Sequence, residues 1–185
     1  LTPDSYRAQI ETNYGPLAAE VLAAYPPGDS AETAKASRDA LARDRGLAAM
    51  ALWAESRQTT SGKPVYAYLW NHVEPGPEAA RYKAFHSSEI PYVFGTLDTS
   101  DRSFGDVDRA LSERAMTWWA NWVKSGDPNA TGDHAWPQYT AGGRMIVEVG
   151  GEVGDDTATP RPVLPADRLD LFRRHVANGG RLGLF

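Results

Sequence analysis

The sequence predicts an α/β protein whose sheet is incomplete and covered by helices. One segment, Pro64 to Trp70, is apolar on both faces, as a strand buried between two helical layers is. Several flanking stretches place apolar residues at helical spacing. Too few other strand candidates remain to build a parallel sheet, whose neighbours must be reached by crossovers.

The bulk numbers bound the function. With 185 residues, 42% hydrophobic and 23% charged, the chain is long enough for one domain with a core. A net charge of −5 without a block of Lys and Arg leaves no electrostatic basis for a nucleic-acid or anionic-membrane partner. No stretch reaches the roughly 18 to 20 apolar residues that span a bilayer. There are no cysteines, hence no disulfide, thiolate metal site or cysteine nucleophile. The composition carries no indication of compartment.

Along the chain, Thr2, Pro3 and Asp4 form a helix start with a capping side chain, a first-turn proline and an early acid; Gly15 ends that helix. Leu17, Val21, Leu22 and Tyr25 line a second short helix, closed by Pro26, Pro27 and Gly28. From Ser30 to about Gln58, Leu41, Leu47, Met50 and Trp53 suit one amphipathic helix, or two broken near Gly46. In the strand that follows, Val65, Ala67 and Leu69 face one way and Tyr66, Tyr68 and Trp70 the other. Pro75, Gly76 and Pro77 open a loop that runs past Arg81 and Lys83 to Phe85–Gly95. After Asp106 or Asp108 as a cap, Leu111, Ala115, Trp118 and Trp122 follow one helical face, widened by Trp119 and Val123; Gly126 to Pro128 stop that helix. Trp136–Tyr139 reads as extended and Met145–Val149 as a small strand, with turns at Gly142-Gly143 and Gly150-Gly151. A last helix from about Ala166 to Val176 buries Leu169, Phe172 and Val176. Residues 179–185 read as a flexible glycine-rich tail.

Four histidines are present. The ordinary fate of a histidine is a surface or satisfied structural position, and that is the reading for His72, His134 and His175. His86 differs: it lies on a loop beyond the buried strand, between Phe85 and the small Ser87 and Ser88, where an imidazole can open onto a cleft. A metal site from His72, Glu74, His86 and Glu89 fails on spacing, since a His-x-Glu at a strand end is not the i, i+4 pair of zinc-binding helices. No metal and no cofactor is expected. Trp118, Trp119 and Trp122 could line an acyl pocket, yet tryptophans at helical spacing usually belong to a core.

The segment Phe85-His86-Ser87-Ser88-Glu89-Ile90-Pro91-Tyr92-Val93-Phe94-Gly95 resembles the catalytic-histidine motif of type-B (cholinesterase-like) carboxylesterases, His-Gly-x-Glu followed by an apolar run ending in Phe-Gly. The resemblance continues in order through Met116–Asn121, Gly126-Asp127-Pro128-Asn129 and Trp136-Pro137-Gln138-Tyr139. More weakly, it reaches Asn13-Tyr14-Gly15 and Tyr25-Pro26. It covers nearly the whole chain except the tail, and one departure is Ser87 where the family commonly has glycine, the residue freest in its dihedrals.

The resemblance implies that residues 1–178 are the C-terminal part of a type-B carboxylesterase catalytic domain, a segment of an α/β-hydrolase fold. It implies carboxylic ester hydrolysis through an acyl-enzyme, a small-molecule ester as substrate, and His86 as the catalytic histidine. Glu89 is then a buried carboxylate near the site; its alternative is a solvent-facing charge. The family's Gly-x-Ser-x-Gly elbow, the glutamate of its Asp-Glu-Gly context and its glycine-rich oxyanion loop have no counterpart in this sequence. The serine and the glutamate are therefore expected in an upstream part of the same protein, and this chain alone is expected to be inactive. The rival reading is a non-catalytic, carboxylesterase-like binding module, because this fold also supports cell-surface adhesion.

Overall fold

The computed structural model describes residues 1–129, 136–151 and 154–183. Seven helices and three strands are defined among them: α1 (Pro3–Tyr14), α2 (Ala18–Ala24), α3 (Ala31–Ser61), β1 (Tyr68–Trp70), α4 (Ala79–Tyr82), α5 (Ile90–Val93), α6 (Asp106–Ser125), β2 (Met145–Val149), β3 (Ala158–Pro162) and α7 (Ala166–Ala177). The class is α/β, as expected. The chain divides into two compact units, residues 1–60 with 163–185, and residues 61–162.

The first unit is helical. Thr2 caps α1 through a reciprocal pair: its Oγ1 accepts from the Ser5 amide at 3.1 Å, and Ser5 Oγ accepts from the Thr2 amide at 2.9 Å. Tyr6, Ile10 and Tyr14 bury one face, spaced by four residues. The long α3 runs through Gly46 without a break. A mid-helix glycine costs only about 1 kcal/mol relative to alanine, and the buried row Leu41, Asp44, Leu47, Ala48, Ala51 and Ala54 holds the helix on both sides of it. Trp53, expected inward, is exposed. The buried carboxylate of Asp44 accepts from Tyr25 Oη at 2.8 Å, Arg168 at 2.9 Å and Arg43 at 2.9 Å, joining α2's end, α3 and α7. Beneath that network α7 buries Leu169, Leu171, Phe172 and His175, while Val176, expected inside, lies exposed. Following α7, the Gly179 and Gly180 amides donate back to Val176 and His175.

The second unit holds the sheet, in the order β1-β2-β3, with β1 parallel to β2 and β2 antiparallel to β3. Tyr68 pairs with Val147 and Trp70 with Val149. Only Tyr68 to Trp70 of the predicted Pro64–Trp70 strand forms the ladder. The segment before it is fixed by single bonds, the Tyr139 amide to the Val65 carbonyl at 2.8 Å and the Val147 amide to the Ala67 carbonyl at 3.1 Å. At the edge opposite β2, β1 has no partner strand among the described residues, as the shortage of strands predicted. β3 was not predicted, because Pro160 and Pro162 demote a strand reading; its position at the other edge is where proline is tolerated.

The core of this unit gathers Trp70, Tyr92, Leu97, Leu111, Ala115, Trp118, Trp136, Val147 and Val149. The helix α6 starts after Gly105, with Asp108 Oδ2 accepting the Gly105 amide at 2.9 Å, and ends at a left-handed Gly126. Its buried face is narrower than predicted, for Trp122 is 53% exposed and Val123 is exposed as well. Three of the sequence segments that carry the resemblance close this unit. The Asn129 amide donates to the Trp136 carbonyl at 2.8 Å, Trp136 Nε1 donates to the Ala67 carbonyl at 3.0 Å, and Asn121 donates to the Pro128 carbonyl at 3.1 Å. Together they clip the segment after α6 onto the strand.

Candidate active site

The chain leaving β1 is fixed before it reaches His86. The Asn71 amide continues the β1 pairing to the Val149 carbonyl at 2.8 Å. His72 then turns fully inside: Nε2 lies 2.9 Å from Asp108 Oδ1, and Nδ1 lies 2.9 Å from the Asp155 carbonyl oxygen. Both partners offer the ring an oxygen acceptor. Gly150 is required at this point, because at φ 68 a Cβ would come within 2.7 Å of the His72 Cα. Glu74, also buried, forms an ion pair with Arg102, and that guanidinium sits 5.8 Å over the Phe85 ring. A cavity of about 260 Å³ opens beside Phe85, between Glu74, Pro75, Tyr82 and Arg102.

The region read as one loop contains two one-turn helices, α4 and α5, with His86 between them. His86 is exposed, and its Nδ1 lies 2.6 Å from the Ser87 hydroxyl. Ser87 has φ 72. This is the left-handed region, which costs a non-glycine residue roughly 1–2 kcal/mol. Serine therefore occupies the kind of backbone conformation for which glycine is the usual choice. Ser88 is buried and Glu89 half-buried. Burial, and secondarily the Glu89 charge, pushes the Tyr68 hydroxyl up to about 12, which places that carboxylate electrostatically beside β1. Glu89 thus falls between the two alternatives weighed from sequence, neither sealed in the core nor fully in solvent.

Beyond His86, α5 is bolted to α6. Tyr92 Oη donates to Asp108 Oδ1 at 2.8 Å, and Ser112 Oγ donates to the Tyr92 carbonyl at 2.8 Å. Asp108 therefore accepts from His72, Tyr92 and the Gly105 amide together, joining the strand exit, the far side of the His86 turn and the start of α6. Burial first, then the Asp108 carboxylate, pushes the Tyr92 hydroxyl far up from its ordinary value. Sequence reasoning took Asp108 only as a helix cap and His72 as a structural residue. The signal for their pairing was weak: a histidine two residues past a buried strand and an acid opening the next long helix, 36 residues apart.

Trp118 is buried and Trp119 half-buried; with Tyr66, Tyr68, Trp122 and Trp136 they line a separate cavity of about 180 Å³. His175 is buried in the helical unit, and His134 lies outside the described residues. No group of three or more His, Cys, Asp or Glu side chains able to hold a metal ion occurs among the described residues, and no helix among them is long and apolar enough to cross a membrane.

Comparison with known proteins gives a match to the model of the carboxylesterase family over residues 4–159. The chain belongs to the carboxylesterase family. It is 30% identical over 109 residues to bile salt-activated lipase of Homo sapiens, covering 56% of this chain and 14% of that protein. Carboxylesterase 5A of Felis catus is 36% identical over 92 residues, 43% of this chain and 16% of that protein. Neuroligin-3 of Mus musculus is 32% identical over 107 residues, 55% of this chain and 13% of that protein. The matched part thus spans between 13 and 16% of these relatives' lengths. The mixed architecture and three-stranded sheet accord with part of an α/β-hydrolase fold.

Proposed function

We propose that this chain is the C-terminal part of a serine carboxylic ester hydrolase, with residues 1–178 belonging to its catalytic domain and His86 serving as its general base. The observation that carries the reading is the exposed imidazole of His86, held on a turn at the left-handed Ser87 between two anchored segments, inside the region that matches the carboxylesterase family. Rigid support on both sides of the side chain is what a proton-transferring residue needs.

In this reading the nucleophilic serine, its glutamate and the oxyanion hole come from an upstream part of the same protein, and the substrate is a small-molecule ester. His86 takes the hydroxyl proton as the serine oxygen forms its bond to the ester carbonyl carbon. Collapse of the tetrahedral intermediate breaks the bond to the alcohol oxygen, which receives that proton from His86. Water, deprotonated by the same ring, then releases the acid and returns the proton to serine. An imidazole with an unperturbed pKa near 6.5 can do both at neutral pH. The upstream glutamate would take the nitrogen now beside the Ser87 hydroxyl, leaving the other toward the serine. Glu89, whose charge reaches Tyr68, is in this reading a carboxylate near the site.

An organophosphorus ester tests the division of labour, because it reacts covalently with the serine of an acyl-enzyme. Peptide mapping of the labelled longer protein should place the adduct outside residues 1–185, and the isolated chain should take no label. An adduct on Ser87 or Ser88 would sink the proposal.

A further inference from the structure

We propose that the pocket lined by Tyr14, Arg45, His175 and Arg181 binds a carboxylate. It lies wholly within the helical unit, where the end of α1, the middle of α3 and the end of α7 meet, and encloses about 260 Å³. Tyr14 is only 6% exposed, and its hydroxyl has no hydrogen-bond partner among the described residues. The Nε of Arg45 is likewise buried without one. Buried polar groups are almost always satisfied, so two unsatisfied groups lining one cavity point to an absent ligand. An arginine Nε–H can only donate, which makes that ligand an acceptor.

Charge narrows the choice further. Arg45, Arg181, His175, Asn13 and Tyr14 line the pocket together with Gly180, and no carboxylate does. Elsewhere in this unit the arginines are matched: Arg168 with Asp44, Arg173 with Glu55, and Arg174 with Glu20 and Asp170. Arg45 forms no ion pair among the described residues, in a chain whose net charge is −5. Its charge is felt by both neighbours. It opposes the upward push of burial on Tyr14 and adds to the burial that holds His175 below its ordinary value. A planar carboxylate is the anion that fits a guanidinium fork with a phenol hydroxyl beside it.

The walls are preformed. The His175 ring packs against Tyr14 with centroids 4.5 Å apart and planes tilted by 39°, and the Gly180 amide donates to the His175 carbonyl at 2.9 Å. A Cβ at Gly180 would fall 2.3 Å from the imidazole, so only glycine closes the pocket at this distance. Such a site accepts a free short-chain carboxylate or an Asp or Glu side chain from another part of the same protein.

Sodium acetate titrated into the 185-residue chain, against chloride at constant ionic strength, tests this by NMR of the histidine rings, with the exposed His86 as internal control. Expected is a saturable shift of the His175 resonances and a rise of its pKa by about half a unit or more, since an adjacent anion favours the imidazolium. Arg45→Gln should abolish both, and Arg45→Lys, which keeps the charge but not the fork, should weaken them. In a longer polypeptide carrying the upstream region, a resident acid side chain would show as a His175 pKa already raised and indifferent to acetate; a free ligand would leave it responsive. A His175 shift that is linear and matches that of His86, or an Arg45→Gln chain that binds acetate as well as the parent sequence, would overturn the proposal.

Discussion

Ser87 links sequence to site more directly than any other residue. Its φ of 72 is a conformation in which a side chain meets its own backbone, and serine is small enough to tolerate it. Ser87→Gly should therefore leave stability unchanged or raise it by up to about 1 kcal/mol. Ser87→Val, β-branched at the same dihedral, should lower it by about 1–3 kcal/mol. Urea midpoints of the three chains settle the order, and a valine chain as stable as the glycine one would mean the turn is not strained. His86 was singled out because a motif surrounds it, not because its own environment announced it. His72 was legible only as a residue to be set aside. Nothing in a lone histidine near a strand end discloses that an acid 36 positions later reaches both of the segments flanking the candidate site.

Among the elements, α5 matters out of proportion to its four residues. It follows His86 directly, and its orientation is set by Tyr92 against Asp108 and Ser112 of α6. His72→Ala should leave Asp108 short of one donor inside the protein and open a void next to Trp70 and Tyr92, whose rings lie 6.1 and 5.1 Å from the imidazole. The expected cost is about 2–4 kcal/mol, from a lost charge-assisted bond plus a cavity, measured by chemical denaturation; a loss under about 0.5 kcal/mol would show that the network does not hold this corner. Helices with capping chemistry were readable in order, as α1 and α6 illustrate. What periodicity could not supply was which residues of a helical face are actually covered. Trp53, Trp122, Val123 and Val176 all sit at positions suited to a buried stripe, and all are exposed. Local spacing sets a direction, whereas coverage depends on what packs there. Likewise β3 was hidden by its prolines, and the break expected at Gly46 was overridden by the buried face of α3.

For the chain taken together, six tyrosines with raised hydroxyl pKa values, Tyr6, Tyr14, Tyr25, Tyr66, Tyr68 and Tyr92, dictate how stability responds to alkali, burial being the first cause in each. A raised folded value means that the native state keeps its proton after the unfolded chain, near 10.0, has lost it. The stabilisation is complete below pH 10 and declines as pH rises through the window above it, at up to about 1.4 kcal/mol per pH unit for each protected tyrosine. Denaturation midpoints from pH 8 to 12 should be flat and then fall steeply beyond 10, with most of the tyrosinate absorbance appearing only on unfolding; its full appearance in the still-folded chain would contradict the burial pattern.

Everything functional in this account turns on whether His86 moves a proton for a serine outside this chain. The direct measurement is kcat and KM for a simple aryl ester, made on the longer protein with His86→Ala beside the unchanged enzyme and with unfolding curves for both. The side chain is exposed, so its removal should leave the unfolding curve in place. The account predicts that kcat falls roughly 10⁴-fold while KM changes little. A well-folded His86→Ala enzyme that keeps most of its ester hydrolysis would contradict it.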